Sequence, residues 1–223
     1  GSGSVYIEAD GDVYFGEMAS AYINAAGDID IYGENITFNN FTNVESIYGD
    51  ISILANDTIN IFAPEAMMYS TAFWADNGSI NFQAGNNIYG DGTIMPTVQL
   101  YAALNIIMNA GGNIAFRFAG IEADYSLAMT AGNNVSLIDT STISGNGGSF
   151  VSGKRVEVIT TENVHIFPTQ FGSYGNIEII ATDGDITISA NELGDLEVVS
   201  VAPDGHITLT ANNGNISVEN AII

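Results

Sequence analysis

The sequence predicts an all-β protein, a parallel β-solenoid of about nine rungs of irregular length, and three observations carry that prediction. Short stretches alternate apolar and polar residues with a period of two, such stretches end again and again on alanine, and Gly, Asn or Asp follows before the alternation resumes. Residues 207–218, ITLTANNGNISV, condense all three: Ile207 and Leu209 alternate with Thr208 and Thr210, Ala211 closes the run, 212–215 supply turn chemistry, and Ile216 and Val218 resume the alternation.

Along the chain the corner residue recurs as Ala9, Ala25, Ala55, Ala84, Ala110, Ala131, Thr160, Ala181 and Ala211, a spacing of 16 to 30 residues that suits stacked supersecondary units. Two residues before each corner stand Ile7, Ile23, Ile53, Phe82, Met108, Met129, Val158, Ile179 and Leu209, all apolar. Four or five residues after it stand Val13, Ile29, Ile59, Ile88, Ile114, Val135, Val164, Ile186 and Ile216, all β-branched aliphatics. Two further on, Phe15, Ile31, Ile61, Phe116, Leu137, Ile166, Ile188 and Val218 are apolar, and Gly90 alone breaks that column. The period of two places these columns on one buried face. Parallel rungs about 4.8 Å apart satisfy them all, and nine rungs give a rod of about 43 Å. An antiparallel sandwich would not demand one residue type at one corner, and would place short Gly/Asn hairpin loops between strand pairs.

Less regular stretches at 63–74, 90–99, 140–148 and 167–174 read as additional strands and loops of each rung, so loop length sets rung length. The opening residues 1–4, GSGS, read as an engineered scar, and 5–223 as a single solenoid domain cut from a longer array, because the repeats run to both ends without a polar cap.

Composition narrows the function. The chain is 46% hydrophobic, enough for a sizeable core, which excludes a disordered acidic tail. Its 26 acidic residues face only Arg117, Lys154 and Arg155, for a formal charge of -23. That balance excludes nucleic acid and anionic membrane surfaces as partners, and leaves cationic surfaces, divalent metal ions and neutral sugars. With no cysteine there is neither a disulfide framework nor a Cys-based zinc site, and no apolar run approaches the roughly 20 residues that span a bilayer.

The residue before the β-branched column is Asp12, Asp28, Thr58, Asn87, Asn113, Asn134, Asn163, Asp185 or Asn215, which suggests an axial ladder of side-chain hydrogen bonds. Asp12 stacked on Asp28, with Asp10 and Asp30 near the same corner, would alternatively make an oxygen-ligand set for calcium, although the spacing matches no EF-hand loop. A glycosidase or polysaccharide lyase would need paired carboxyls in a groove, with Arg117, Lys154 or Arg155 to neutralise a uronate. The obvious Asp residues occupy turn positions where Asp is expected anyway. His165 and His206 have no spaced partner and read as outward-facing surface histidines. Tyr69, Phe73 and Trp74, with Met67 and Met68, form either a sugar- or protein-binding patch or an additional core strand. Six sequons, at Asn35, Asn40, Asn56, Asn77, Asn134 and Asn215, are a by-product of a chain rich in Asn, Ser and Thr.

The recurring motif, as in LAMTAGNNVSLI (127–138), EIIATDGDITIS (178–189) and ITLTANNGNISV, resembles the repeats of filamentous-haemagglutinin-like adhesins and related secreted bacterial surface proteins. The resemblance implies a right-handed parallel β-helix, export to the outer surface, and a role as stalk or adhesin contacting a host or neighbouring-cell glycan or protein. It carries no catalytic motif. The expectation is therefore a non-catalytic structural and adhesive module. A carbohydrate-active β-helix enzyme and a calcium-stabilised glycan-binding module are the alternatives.

Overall fold

The computed structural model describes residues 3–16, 20–39, 41–63, 70–92, 98–140, 142–145, 147–160, 169–173, 175–190, 196–200 and 204–223. The chain is a parallel β-solenoid of three nine-stranded sheets, in which every coil adds one strand to each sheet. The first sheet runs from Val5–Glu8 and Ile29–Gly33 to Ile207–Ala211, the second from Val13–Phe15 and Ile36–Phe38 to Ile216–Glu219, and the third from Tyr22–Ala25 and Asn43–Ser46 to Ala221–Ile222.

The register revises two of the expected repeats. The first-sheet corner is Ala9, Gly33, Ala55, Ala84, Ala110, Ala131, Gly153, Ala181 and Ala211. Ala25 instead closes a third-sheet strand and stacks with Ser46, Ala75, Ala102 and Ala123. Thr160 ends a second-sheet strand beside Ala190. First-sheet and third-sheet strands both end on a small residue, and where the first-sheet corner is too tight for alanine it carries glycine, so the alanine spacing skips it. A Cβ at Gly33 would lie 2.8 Å from Val13 Cγ2, and one at Gly153 would lie 2.9 Å from the Asn133 carbonyl oxygen.

The observed register changes members of the β-branched column and keeps its character. The leading inward position of the second sheet reads Val13, Ile36, Ile59, Ile88, Ile114, Val135, Val156, Ile186 and Ile216, with Ile36 and Val156 replacing Ile29 and Val164. Ile29 and Ile31 belong to the inward face of the first sheet, and Val164 and Ile166 lie outside the described residues. β-Branched side chains suit a pleated surface whose neighbours repeat in parallel above and below.

The three inward faces meet in one continuous core. Phe15 stacks on Phe38 at 5.0 Å, Phe38 meets Phe73 edge-on at 4.8 Å, and Phe73 meets Phe82 at 5.2 Å, so aromatic contacts link all three sheets. Each buried aliphatic or aromatic side chain contributes about 1.5–3 kcal/mol. The one hydroxyl in the leading first-sheet column, Ser149, is buried and satisfied: its Oγ accepts the Gly145 N–H at 3.0 Å.

Candidate functional site

Two axial ladders fix the corners on either side of the first sheet. Before the second sheet, Asn35 donates its backbone N–H and its Nδ2 to Asp12 Oδ1 at 3.2 and 2.9 Å, and Asn113 donates the same pair to Asn87 Oδ1 at 2.9 and 3.0 Å. Asn134 N–H donates to Asn113 Oδ1 at 3.2 Å, and Asn215 N–H to Asp185 Oδ1 at 2.8 Å. Before the first sheet, Asp28 N–H donates to Ser4 Oγ, Asp50 N–H to Asp28 Oδ1, Ser79 N–H to Asp50 Oδ1, and Asn105 N–H to Ser79 Oγ. Each short polar side chain thus satisfies a corner amide of the next coil, as buried or half-buried backbone groups require.

These ladders redistribute the expected calcium ligands. Asp12 stacks on Asn35 rather than Asp28, and Asp28 stacks on Asp50 at a different corner. Asp30 lies on the outward face of the first sheet between Tyr6 and Ser52, while Asp10 is exposed after the first strand. Among the described residues no three His, Cys, Asp or Glu side chains are grouped to hold a metal. The Asn35 side-chain amide, working against desolvation and aided by the Asn35 N–H and by Tyr14, holds the Asp12 carboxyl below the usual aspartate value.

Of the basic residues, Arg117 lies apart from the adjacent Lys154 and Arg155. Arg117 ends a second-sheet strand beside Asp91, with its guanidinium 4.7 Å from the Phe118 ring centroid. Lys154 Nζ donates to Asn133 Oδ1 at 3.0 Å, and Arg155 lies 3.8 Å from Glu157. His206 precedes the last first-sheet strand rather than lying within it, and its backbone N–H joins a ladder through Asn176 Oδ1 at 3.0 Å. His165 lies outside the described residues, as do Tyr69, Met67 and Met68.

The rest of the expected aromatic patch divides across one strand. Thr71–Ala75 belongs to the third sheet and turns Phe73 wholly into the core, so Phe73 is unavailable to a ligand. Trp74 points outward. In the next coil Tyr101 occupies the same register, with ring centroids 5.6 Å apart and planes inclined by 42°. Glu45 and Glu122 continue this outward column on either side. Trp74, Tyr101, Gln99, Gly120, Glu122 and Thr142 border a shallow groove of about 240 Å³. Tyr101 donates its hydroxyl to Asp124 at 2.8 Å.

Tyr101, Gln99 and Glu122 escaped the sequence reading although a signal was present. TAFWA (71–75) and VQLYA (98–102) share the alternation that ends on alanine, and aligning them superposes Trp74 on Tyr101. Further outward grooves lie among the described residues. One, of about 300 Å³ on the second sheet, is mainly apolar and includes Phe62, Tyr89, Asp91, Ala115 and Arg117; another, of about 320 Å³ on the first, includes Tyr32, Asn81, Gln83 and Asn109. Comparison of the chain with protein-family models, curated proteins and solved structures finds no match.

Proposed function

We propose that the protein is a non-catalytic, adhesive segment of an extracellular or cell-surface rod, displaying ligand-binding side chains on the outward faces of a rigid solenoid. The resemblance of its corner motifs to filamentous-haemagglutinin-like adhesins supports the location. The observation that carries the binding role is the outward Trp74–Tyr101 pair, set among polar side chains above an unbroken core. Aromatic side chains with one apolar face and nearby hydrogen-bonding groups suit glycan or protein recognition, and a rigid support limits the entropy lost on binding.

The carbohydrate-active enzyme is the weaker alternative. The groove that contains Arg117 has one carboxylate in its lining, Asp91, whereas glycoside hydrolysis ordinarily uses two. The calcium-stabilised alternative is weaker because its four candidate ligands are distributed over separate corners and a face. A glycan array combined with adhesion of the immobilised protein to cells tests the proposal. Saturable binding to a glycan class or cell-surface protein is expected, and failure to bind any of them refutes it.

A further inference from the structure

The third-sheet groove also defines what it would bind. Four successive coils place Glu45, Trp74, Tyr101 and Glu122 in one outward column, so the aromatic pair lies between carboxylates. The parallel row beside it reads Ala72, Gln99, Gly120 and Thr142. Gly120 contributes no side chain, which leaves a floor bordered by an amide on one side and a hydroxyl on the other.

The local charge has one sign. Asp124 accepts the Tyr101 hydroxyl and, with burial and the fields of Asp124, Glu122 and Asp76, raises the phenol above its ordinary pKa, so Tyr101 remains protonated. Among the described residues, no lysine or arginine lines the groove. A uronate, sulfate or sialic acid would therefore be repelled, whereas an ammonium group gains from a carboxylate and from the negative faces of the rings.

We propose that this groove binds an amino sugar, a glycan residue carrying a free ammonium group. The apolar face of the pyranose packs on Trp74 and Tyr101, the ring hydroxyls meet Gln99 and Thr142, and the ammonium pairs with Glu122. A lysine side chain would use only the rings and the carboxylate; the amino sugar engages the amide and hydroxyl as well. This assignment rests on the adhesive function and specifies its ligand.

Trp74 is the sole tryptophan, so its emission reports the site directly. The intact protein is titrated with glucosamine hexamer, N-acetylglucosamine hexamer and hexalysine, in mildly acidic buffer at physiological ionic strength, where diffuse attraction is screened. Glucosamine hexamer is expected to change the emission saturably. The acetylated hexamer and hexalysine should each bind at least about tenfold more weakly, and Glu122→Gln and Tyr101→Ala should each weaken glucosamine binding about tenfold. Both variant positions face outward, and circular dichroism checks that the fold is kept.

The inference is overturned by an absent or unsaturable response, by equal binding of the acetylated hexamer, by equal binding of hexalysine, or by variants that bind like the parent protein. The last result would show diffuse attachment to an acidic surface. The glycan array and the cell-adhesion assay separate the two proposals: binding to another glycan or to cells with no glucosamine response removes this assignment alone, and a blank array with no cell adhesion and no glucosamine response removes both.

Discussion

A larger residue at Gly90 should destabilise the core, although an apolar side chain there would fit the column's pattern. Gly90 interrupts an inward column otherwise composed of Phe15, Phe38, Ile61, Phe116, Leu137, Val158, Ile188 and Val218. The structure shows why: the buried Phe116 ring of the next coil occupies the vacated space. A Cβ at position 90 would lie 2.2 Å from Phe116 Cδ1 and 2.4 Å from Cε1, far inside the roughly 3.5–4.0 Å at which carbon atoms pack. Overpacking of this kind costs about 1–3 kcal/mol, while replacing glycine in a strand recovers about 0.4–1 kcal/mol of chain entropy. Gly90→Ala should therefore destabilise by about 1–2 kcal/mol. Urea unfolding followed by Trp74 emission and by circular dichroism should show a lower midpoint with an unchanged slope. Combining it with Phe116→Leu, which removes the ring, should cost at least about 1 kcal/mol less than the two single changes together. A Gly90→Ala variant as stable as the parent, or a double variant whose losses simply add, would refute the argument by showing that Phe116 moves aside freely.

Three further outcomes are expected. Asn113→Ala removes the acceptor for the Asn134 N–H and the donor to Asn87, and should lower stability by about 1–2 kcal/mol; Asn113→Asp keeps the acceptor and should fall between, as measured by urea unfolding. The Asp12 carboxyl titrates below its unfolded value, so its contribution is present above about pH 3.9 and is lost as the pH falls through the depressed folded value. Asn35→Ala should raise the Asp12 pKa in an NMR titration, and an unmoved value would contradict the proposed cause. Calcium should leave the melting temperature unchanged, because Asp12 and Asp28 stack on Asn35 and Asp50 rather than on each other. A calcium-dependent rise, abolished when Asp12→Asn and Asp28→Asn are combined, would restore the metal site.

The alternating columns made the parallel solenoid legible in the sequence, because parallel stacking repeats the same physical environment in every coil. The third sheet was harder to read. Its strands share the ending of the first-sheet strands, so the alternation that closes on alanine does not distinguish Tyr22–Ala25 from a first-sheet strand, and the irregular stretch 90–99 runs into Val98–Ala102. The Trp74–Tyr101 pair was half visible for the same reason. Trp74 was marked by its chemistry, but the residue above it depends on coil length, and coil length differs from one turn to the next. Phe73 and Trp74 also show the limit of reading clusters by proximity in sequence: adjacent strand residues face opposite ways, so one entered the core and the other met solvent.

Length variation is concentrated where it disturbs the scaffold least. Connections from the first to the second sheet contain one to four residues, and those from the third to the first contain two to six. Axial hydrogen bonds from Asp, Asn and Ser side chains tie both kinds of corner to the next coil. The connection from the second to the third sheet ranges from the single residue Phe118 to the eight residues 63–70. Added loop length costs little closure entropy, so insertions here can grow without disturbing the two laddered corners or the core columns. The strands that present Trp74 and Tyr101 begin at Thr71 and Val98, directly after the connections 63–70 and 92–97. The candidate binding residues thus follow directly on the connection whose length varies most, while they themselves stack in register in the third sheet. That arrangement lets one rod change what it displays without altering what holds it together.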